Sequence, residues 1–389
     1  MLKEATAIYS DNENGNVLKD HLKHGILVTD GQLQDVQDHI LFFSNDLDNL
    51  SFYRKNKEAL QGKNVYMKLD DIDSFLLCES TIHFFNLNEM TARKYWQEYH
   101  LLSYFQEKGR VVKIAIIGFS SLGRQILNYG LLNNIYDIDQ EIEYHIWGDS
   151  CLYEHLQEHV DLMNKDRIIY EGNHWVDDLQ KLVRMDRIII TEEDQMDLLQ
   201  TLLYLCDDTE IHYYNSKDIE LEEIFRSEKL RSFGSMGLLT EENIKRDVLG
   251  RAAKELNYKY ASLYGNISSD IAKKEEEMEE QWELLDGFTK GSNIASVDYH
   301  KIRKLILEKA RKENREVSVD HLGRMEHIRW CRYLYLNHWI YGKPENGKAK
   351  DAKRRIHVCL VPYEELTKED QEKDYESVKI LLELMPIRG

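Results

Sequence analysis

Proline is nearly missing from this chain: three residues in 389, at positions 344, 362 and 386. The first 340 residues can therefore alternate helix and strand without the kinks and lost ladder bonds that proline imposes. Cysteine is sparse. Five residues (78, 151, 206, 331 and 359) lie scattered, with no C-x-x-C spacing. Their odd number and apolar neighbours point to reduced, buried thiols and a cytoplasmic setting. No apolar run approaches the roughly 18 residues that a membrane span needs. The opening MLKEATAIYSDNEN has no hydrophobic signal-peptide core. Positive charge is in deficit, 51 Lys+Arg against 70 Asp+Glu for a net of −19, which argues against a general binder of duplex nucleic acid or membrane surfaces. No G-x-S-x-G elbow, P-loop lysine or Cys–His catalytic arrangement occurs.

What is present is an internal repeat. One copy reads TAIYSD (6–11), a helix NVLKDHLKH, GILVTD (25–30), HILFFSND (39–46), a helix and NVYMKL (64–69). The other reads EYHIWGD (143–149), a helix CLYEHLQEHV, DRIIYEG (166–172), DRIIIT (186–191), a helix DQMDLLQTLLYLC and EIHYYN (210–215). The acid closing the first strand, Asp11 or Asp149, recurs in both. Short β-branched and aromatic runs alternating with helical stretches read as βαβ units in parallel sheets, covered by helices on both faces. TIHFFN (81–86) and NEMTARKYWQEYHLLSYF add a closing strand and helix between the copies.

The second copy carries VVKIAIIGFSSLGRQIL (111–127): a strand, a glycine-bracketed turn and a helix. Gly118, Phe119, Ser120, Ser121, Leu122 and Gly123 form a G-x-S-x-x-G variant of the dinucleotide loop. The first glycine permits the tight turn and the last permits close helix–strand packing. Ser120 stands where the backbone would meet a pyrophosphate; its hydroxyl can donate, but its Cβ takes up space. Asp149, 26 residues beyond Gly123 (149 minus 123), ends the next strand, where an acid meets a ribose hydroxyl. The first copy begins at its second strand, so the expected unit lacks an initial strand and a Gly-rich loop and cannot cradle a phosphate at a helix N-terminus. It reads as a structural or dimerising half.

From Thr240 the pattern is helical. TEENIKRDVLGRAAKELNYKYASLYG has Thr240 as N-cap and Ile244, Val248, Ala252 and Leu256 as a core stripe. DIAKKEEEMEEQWELLDGF is a charged helix with a solvated face, and WELLDGFTKGSNIASVDYHKIRKLIL is expected to pack against the helix that follows. Ser292 or Asn293 is expected to cap a helix, with a site role for Asn293 as the alternative. His155, Glu158 and His159 match the H-x-x-E-H pattern of inverted zinc proteases, but no downstream ligand helix follows, so no metal site is expected.

Glu326–Tyr363 is a basic, aromatic island in the acidic chain. It holds two Trp and four Tyr, and residues 320–363 carry nine Lys+Arg against four Asp+Glu. Aromatic faces stack bases, and Arg or Lys neutralise phosphates. As a site, Trp330, Trp339 and Tyr341 would supply stacking walls. Arg329, Lys353 and Arg354 would hold phosphate, Glu326 would orient an arginine or accept from a base amine, and His357 would lie alongside. As ordinary structure, the tryptophans would be core and the acids would pair with the bases.

The strings EHIRW, NHWIYGK, DAKRRIH, VCLVPYEEL and EKDYESVKILLEL, in this order over about 318–389, resemble the RyR domain, the repeat named after ryanodine receptors and also found in bacterial proteins. Asn337-His338 stands where that family has Gly before Trp339, and Val358 replaces a Pro. The segment IIGFSSLGRQIL, the acids Asp11 and Asp149, and the turns TDG (29–31) and YEG (170–172) resemble the TrkA-N (RCK-type) nucleotide-binding domains that regulate potassium uptake. The pair of resemblances implies a bacterial sensor of nucleotide second messengers in stress or anti-phage signalling, a homodimer, and an ion-channel or defence-system partner.

The expected architecture is α/β. Two tandem Rossmann-like units (1–110, without the Gly loop, and 111–235, with it) precede a helical region, 236–389, ending in the RyR domain. The leading expectation is a non-catalytic sensor binding a nucleotide, NAD-like or cyclic. The alternatives are an NAD-dependent enzyme using Gly118–Gly123 and a protein-interaction scaffold.

Overall fold

A computed structural model describes residues 5–29, 31–77, 81–105, 109–264, 274–345 and 347–386. Asp30 of the first TDG turn and Cys78 lie outside the described residues.

The first sheet holds β1 (Thr6–Tyr9), β2 (Gly25–Val28), β3 (Asp38–Leu41), β4 (Asn64–Lys68) and β5 (Ile82–Phe85) in the order β2-β1-β3-β4-β5, all parallel. The second holds β6 (Val111–Ile117), β7 (Glu141–Trp147), β8 (Arg167–Gly172), β9 (Arg187–Ile190), β10 (Glu210–Tyr214) and β11 (Leu230–Phe233) in the order β11-β10-β9-β6-β7-β8, also parallel. Counted within its unit, the second sheet runs third-second-first-fourth-fifth-sixth, the doubly wound Rossmann order. Deleting the first strand from that order leaves the arrangement of the first sheet. There, β1 pairs directly with β3, Thr6 opposite Asp38 through Tyr9 opposite Leu41. A parallel ladder offers the same bonds to either neighbour, so the gap closes without a change of hand. The fold is therefore two parallel-sheet Rossmann-like units, the first with no strand between β1 and β3 among the described residues, followed by a helical C-terminal region.

The central strands are apolar and covered on both faces. All four residues of β9 are buried, and β6 is buried at Val112 and from Ile114 to Ile117. Helix Leu87–Glu98 of the first unit lies on helix Ser121–Asn133 of the second. Trp96, fully buried, donates from its indole to the Ile126 carbonyl at 2.8 Å, and its ring lies against Gly130, where a Cβ would sit 3.0 Å away. Glycine in this helix permits that close approach.

The helical region departs from the expected single helix after Thr240. Thr240 caps only Glu241–Ile244, accepting from the Asn243 amide at 3.2 Å. The chain then breaks at Asp247, whose φ is +45 and whose carboxylate accepts from the Gly250 amide, before helix Arg251–Tyr264. The break rotates Val248 to 49% exposure, off the expected core stripe, while Ile244 and Leu256 remain buried. Helix Gly287–Lys312 is capped by Asp286, not by Ser292 or Asn293, and Asn293 is buried within it. It packs on helix Val319–Leu336, as the sequence suggested, and helix Lys368–Leu384 lies against the latter. A small sheet of β12 (Ile340–Tyr341), β13 (Lys350–Asp351) and β14 (Ile356–His357) carries the C-terminal turns.

Buried ion pairs tie the three parts together. Arg93 of the first unit meets Asp298 of the long helix at 2.6 Å. Arg332, fully buried, reaches into the second unit to Asp166 at 2.7 Å, the Leu131 carbonyl at 2.8 Å and the Leu162 carbonyl at 2.9 Å. Among the described residues no helix is long and apolar enough to cross a membrane.

Candidate functional site

In an open parallel sheet, ligands bind beyond the carboxyl ends of the strands, where the chain turns to opposite sides. In the second sheet that point lies between β6 and β9. Gly118 leaves β6 with φ +89, and a Cβ there would stand 2.7 Å from the Glu192 side chain. Thr191 donates its hydroxyl to the Gly118 carbonyl at 2.7 Å and thereby holds the turn. A Cβ on Gly123 would overlap the Gly118 carbonyl oxygen, so this position also needs glycine. Both glycines thus meet the requirements read from the sequence.

Ser120, exposed, precedes helix Ser121–Asn133 and makes no side-chain cap. The first-turn amides of Ser121, Leu122 and Gly123 therefore lack a capping acceptor from Ser120, at the positive end of a thirteen-residue helix. Gly148, with φ +141, brings the end of β7 against Phe119, where a Cβ would lie 2.7 Å from the Phe119 amide nitrogen. Beside it Asp149 is exposed, with no hydrogen bond or ion pair to the described residues.

The equivalent acid of the first unit has a different fate. Asp11 accepts from the Ser44 amide at 2.7 Å and the Ser44 hydroxyl at 2.9 Å. Burial would raise its pKa, but these bonds hold it below the usual carboxylate range. One repeated acid is thus consumed by local structure, while the other stands free.

Three acidic residues not anticipated from the sequence adjoin the loop. Asp70 and Asp71 follow β4 and face the helix start: Ser121 donates its hydroxyl to the Asp70 carbonyl at 2.6 Å, and Arg124 pairs with Asp71 at 3.3 Å. Glu192 follows β9 and lies over Gly118; burial, then Asp194, raises its pKa. The available signal was position, since each acid closely follows the carboxyl end of a parallel strand.

The basic, aromatic island is not brought together as one pocket. Glu326 and Arg329 are each 2% exposed and pair at 2.8 Å, and Arg303 closes a buried triad with Glu326 at 2.5 Å. Burial would raise the Glu326 pKa, but Arg329 and Arg303 hold it below the usual range. Trp339, 5% exposed, stacks on Phe288 at 5.3 Å. Trp330 is half-buried, stacked against His327 and edge-on to His357. Burial, with Lys350 nearby, pushes His357 down to about 4. Tyr341, Lys353 and Arg354 are exposed, and Arg354 pairs with Glu345 at 3.1 Å.

His327 faces an acceptor from each ring nitrogen: Asp374 at 3.2 Å and the Val361 carbonyl at 2.8 Å. Burial alone would lower its pKa, but Asp374 and Cys331 lift it to about 10, so it is an imidazolium at neutral pH. The H-x-x-E-H residues form no metal site. The helix ends at Leu156, His155 is exposed beside Glu158, and His159 lies edge-on to Tyr335. Among the described residues no three His, Cys, Asp or Glu side chains could hold a metal ion.

Residues 302–389 match the RyR domain family, starting upstream of the motifs read from the sequence, within the long helix that supplies Arg303. No curated protein matches the chain. Among solved structures, the chain is similar to a dipicolinate synthase polypeptide from Bacillus halodurans (12% identity, 64% of this chain and 98% of that one, TM-score 0.28). It is also similar to the corresponding dipicolinate synthase polypeptide from Bacillus subtilis (12% identity, 66% and 97%, TM-score 0.29). The strand orders, rather than these superpositions, establish the fold.

Proposed function

We propose that this chain is a non-catalytic regulator whose second Rossmann-like unit binds a nucleoside-containing ligand and whose RyR module carries the response. The observation that supports it most is the contrast between the two repeated acids. Asp11 is tied to Ser44, whereas Asp149 stands exposed beside a glycine turn and an uncapped helix start. Asp149 would accept from a ribose diol, and the amides of Ser121 and Leu122 would face a phosphate oxygen.

The buried Arg332–Asp166 and Arg93–Asp298 pairs join the two Rossmann-like units to the C-terminal helices, Arg332 from within the RyR module. Tyr341, Lys353 and Arg354 form the exposed basic, aromatic face by which the module would meet its target. Glu326, Arg329 and Trp339 serve the module's core rather than a ligand.

Calorimetry of the full chain against adenosine, guanosine, their mono- and diphosphates, NAD and cyclic dinucleotides tests the reading. Binding is expected for at least one, weakened roughly ten-fold or more by Asp149→Ala through loss of a charge-assisted hydrogen bond. A ligand that binds wild type and Asp149→Ala equally would place the site elsewhere. The same titration against Arg354→Ala distinguishes a ligand held by the RyR face.

A further inference from the structure

The rim of the crevice is acidic and fixed. Asp71 lies beside Arg124 at the helix start, Glu192 covers Gly118, and Asp149 waits at the end of β7. Among the described residues two cations are paired to acids here, Arg124 with Asp71 at 3.3 Å and the buried Lys68 with Asp70 at 2.7 Å, so both are already engaged.

The Asp70–Asp71 turn is not free to swing aside. The amides of Asp70, Asp71 and Ile72 all donate to the buried Asp46 carboxylate, at 3.0, 2.8 and 2.9 Å. Asp70 in turn accepts from the Leu87 amide at 2.9 Å and pairs with Lys68 at 2.7 Å. Its carbonyl accepts from Asn86 at 3.1 Å as well as from Ser121. Successive amides in a turn make an anion-binding concavity, and here the protein's own carboxylate fills it. A turn held by so many bonds sets a constant field at the helix start; it is not a hinged lid.

Ser120 adds a steric restriction to the electrostatic one. The second glycine of a dinucleotide loop lets the backbone approach the pyrophosphate, and Ser120 puts a Cβ there. A diphosphate would therefore meet Ser120 at its closest approach, with Glu192 over Gly118 and Asp71 beside Arg124 at the start of the helix. The diol-binding position at Asp149 carries neither restriction.

We infer that the crevice selects a nucleoside or nucleoside monophosphate against diphosphate-bearing ligands, with Asp71, Glu192 and Ser120 as the selecting residues. This rests on the nucleoside-binding reading of the same site. The repulsive element supplies the specificity, while the attractive contacts at Asp149 are common to both ligand classes.

The test is calorimetry of the full chain with adenosine, AMP, ADP and NAD, and with guanosine, GMP and GDP, at low and high salt. In wild type the monophosphate is expected to bind roughly ten-fold or more tightly than the diphosphate of the same base. The gap should narrow at high salt, as screening weakens like-charge repulsion. Asp71→Asn with Glu192→Gln keeps side-chain volume and removes two charges, and should reduce the gap to about three-fold or less. Adding Ser120→Gly should close the remainder.

Tighter binding of ADP, GDP or NAD than of the monophosphates by wild type would overturn the selection while leaving the nucleoside site in place. An unchanged gap in the triple variant would overturn the residue assignment. No binding of any of these compounds, by wild type or variants, would overturn both the selection and the site it rests on.

Discussion

Removing Arg332 should disconnect the RyR helices from the second Rossmann-like unit, and the size of the loss can be worked from the contacts. Its guanidinium is fully buried and donates to the Leu131 and Leu162 carbonyls, to Asn164 and to Asp166. Arg332→Ala strands the fully buried Asp166 carboxylate, which keeps only the Ile142 amide at 2.7 Å, Gln140 at 2.8 Å and Asn164 at 3.2 Å. Breaking a buried pair from one side costs about 3–5 kcal/mol, and the volume left by the side chain adds a cavity term. By contrast, Arg124→Ala removes a pair whose side chains are 43% and 69% exposed, worth less than about 1 kcal/mol.

Urea unfolding followed by tryptophan fluorescence measures both. Arg332→Ala should lose about 4 kcal/mol, on the order of a thousand-fold in the folding equilibrium. The double variant Arg332→Met with Asp166→Asn should recover at least about half of that, because no buried charge remains unpaired. A loss below about 1 kcal/mol for Arg332→Ala would refute the burial argument. A double variant no better than the single one would refute the charge argument.

Three further predictions rest on single contacts. The folded pKa of His327, about 10, lies above its ordinary value, so its stabilisation is complete below about 6.5 and is lost as the pH rises through about 10. The melting temperature of the wild type should fall between pH 7 and 10, Asp374→Asn should flatten that slope, and an imidazole titration by NMR near 6.5 would contradict the assignment. Gly123→Ala, which forces a Cβ into the Gly118 carbonyl, should lower stability by about 1–3 kcal/mol or more in thermal melts. Gly62→Ala, at φ +77 with nothing within 4 Å, should cost only about 1–2 kcal/mol of left-handed strain. Asp46→Ala removes the acceptor for three amides and should cost about 2–4 kcal/mol by the same measurement, with Asp46→Asn intermediate.

Much of the architecture was legible because repeats and strand patterns are local. The apolar runs at 111–117, 143–147 and 187–190 are strands because their residues are buried on both faces, and short apolar runs between helices carry that signal directly. The motif order of the first copy, read as starting at a second strand, reappears as the direct β1–β3 ladder. The glycine requirements at Gly118 and Gly123 were legible for the same reason: a turn from strand to helix restricts its own residues.

Where long-range charge decides, the linear reading left two alternatives open, a ligand site and an internal ion pair. Glu326 and Arg329 looked like ligand groups because they sit in a basic, aromatic stretch. Their partner Arg303 lies 23 residues from Glu326, on another helix, and only packing joins them. Val248 left its stripe because one residue, Asp247, turned left-handed.

By itself, the sequence determined the class of each unit, the order of the modules and the glycine turn, since these follow from periodicity, propensity and neighbours in the chain. Only the tertiary structure decided that Asp11 is consumed by Ser44 while Asp149 is left free, and that Asp70, Asp71 and Glu192 border the Gly118–Gly123 turn. Those residues lie on different strands and in different units, and electrostatic and hydrogen-bonding choices depend on distance in space. Parallel sheets gather strand ends at one edge, so acids far apart in sequence come to border the same turn.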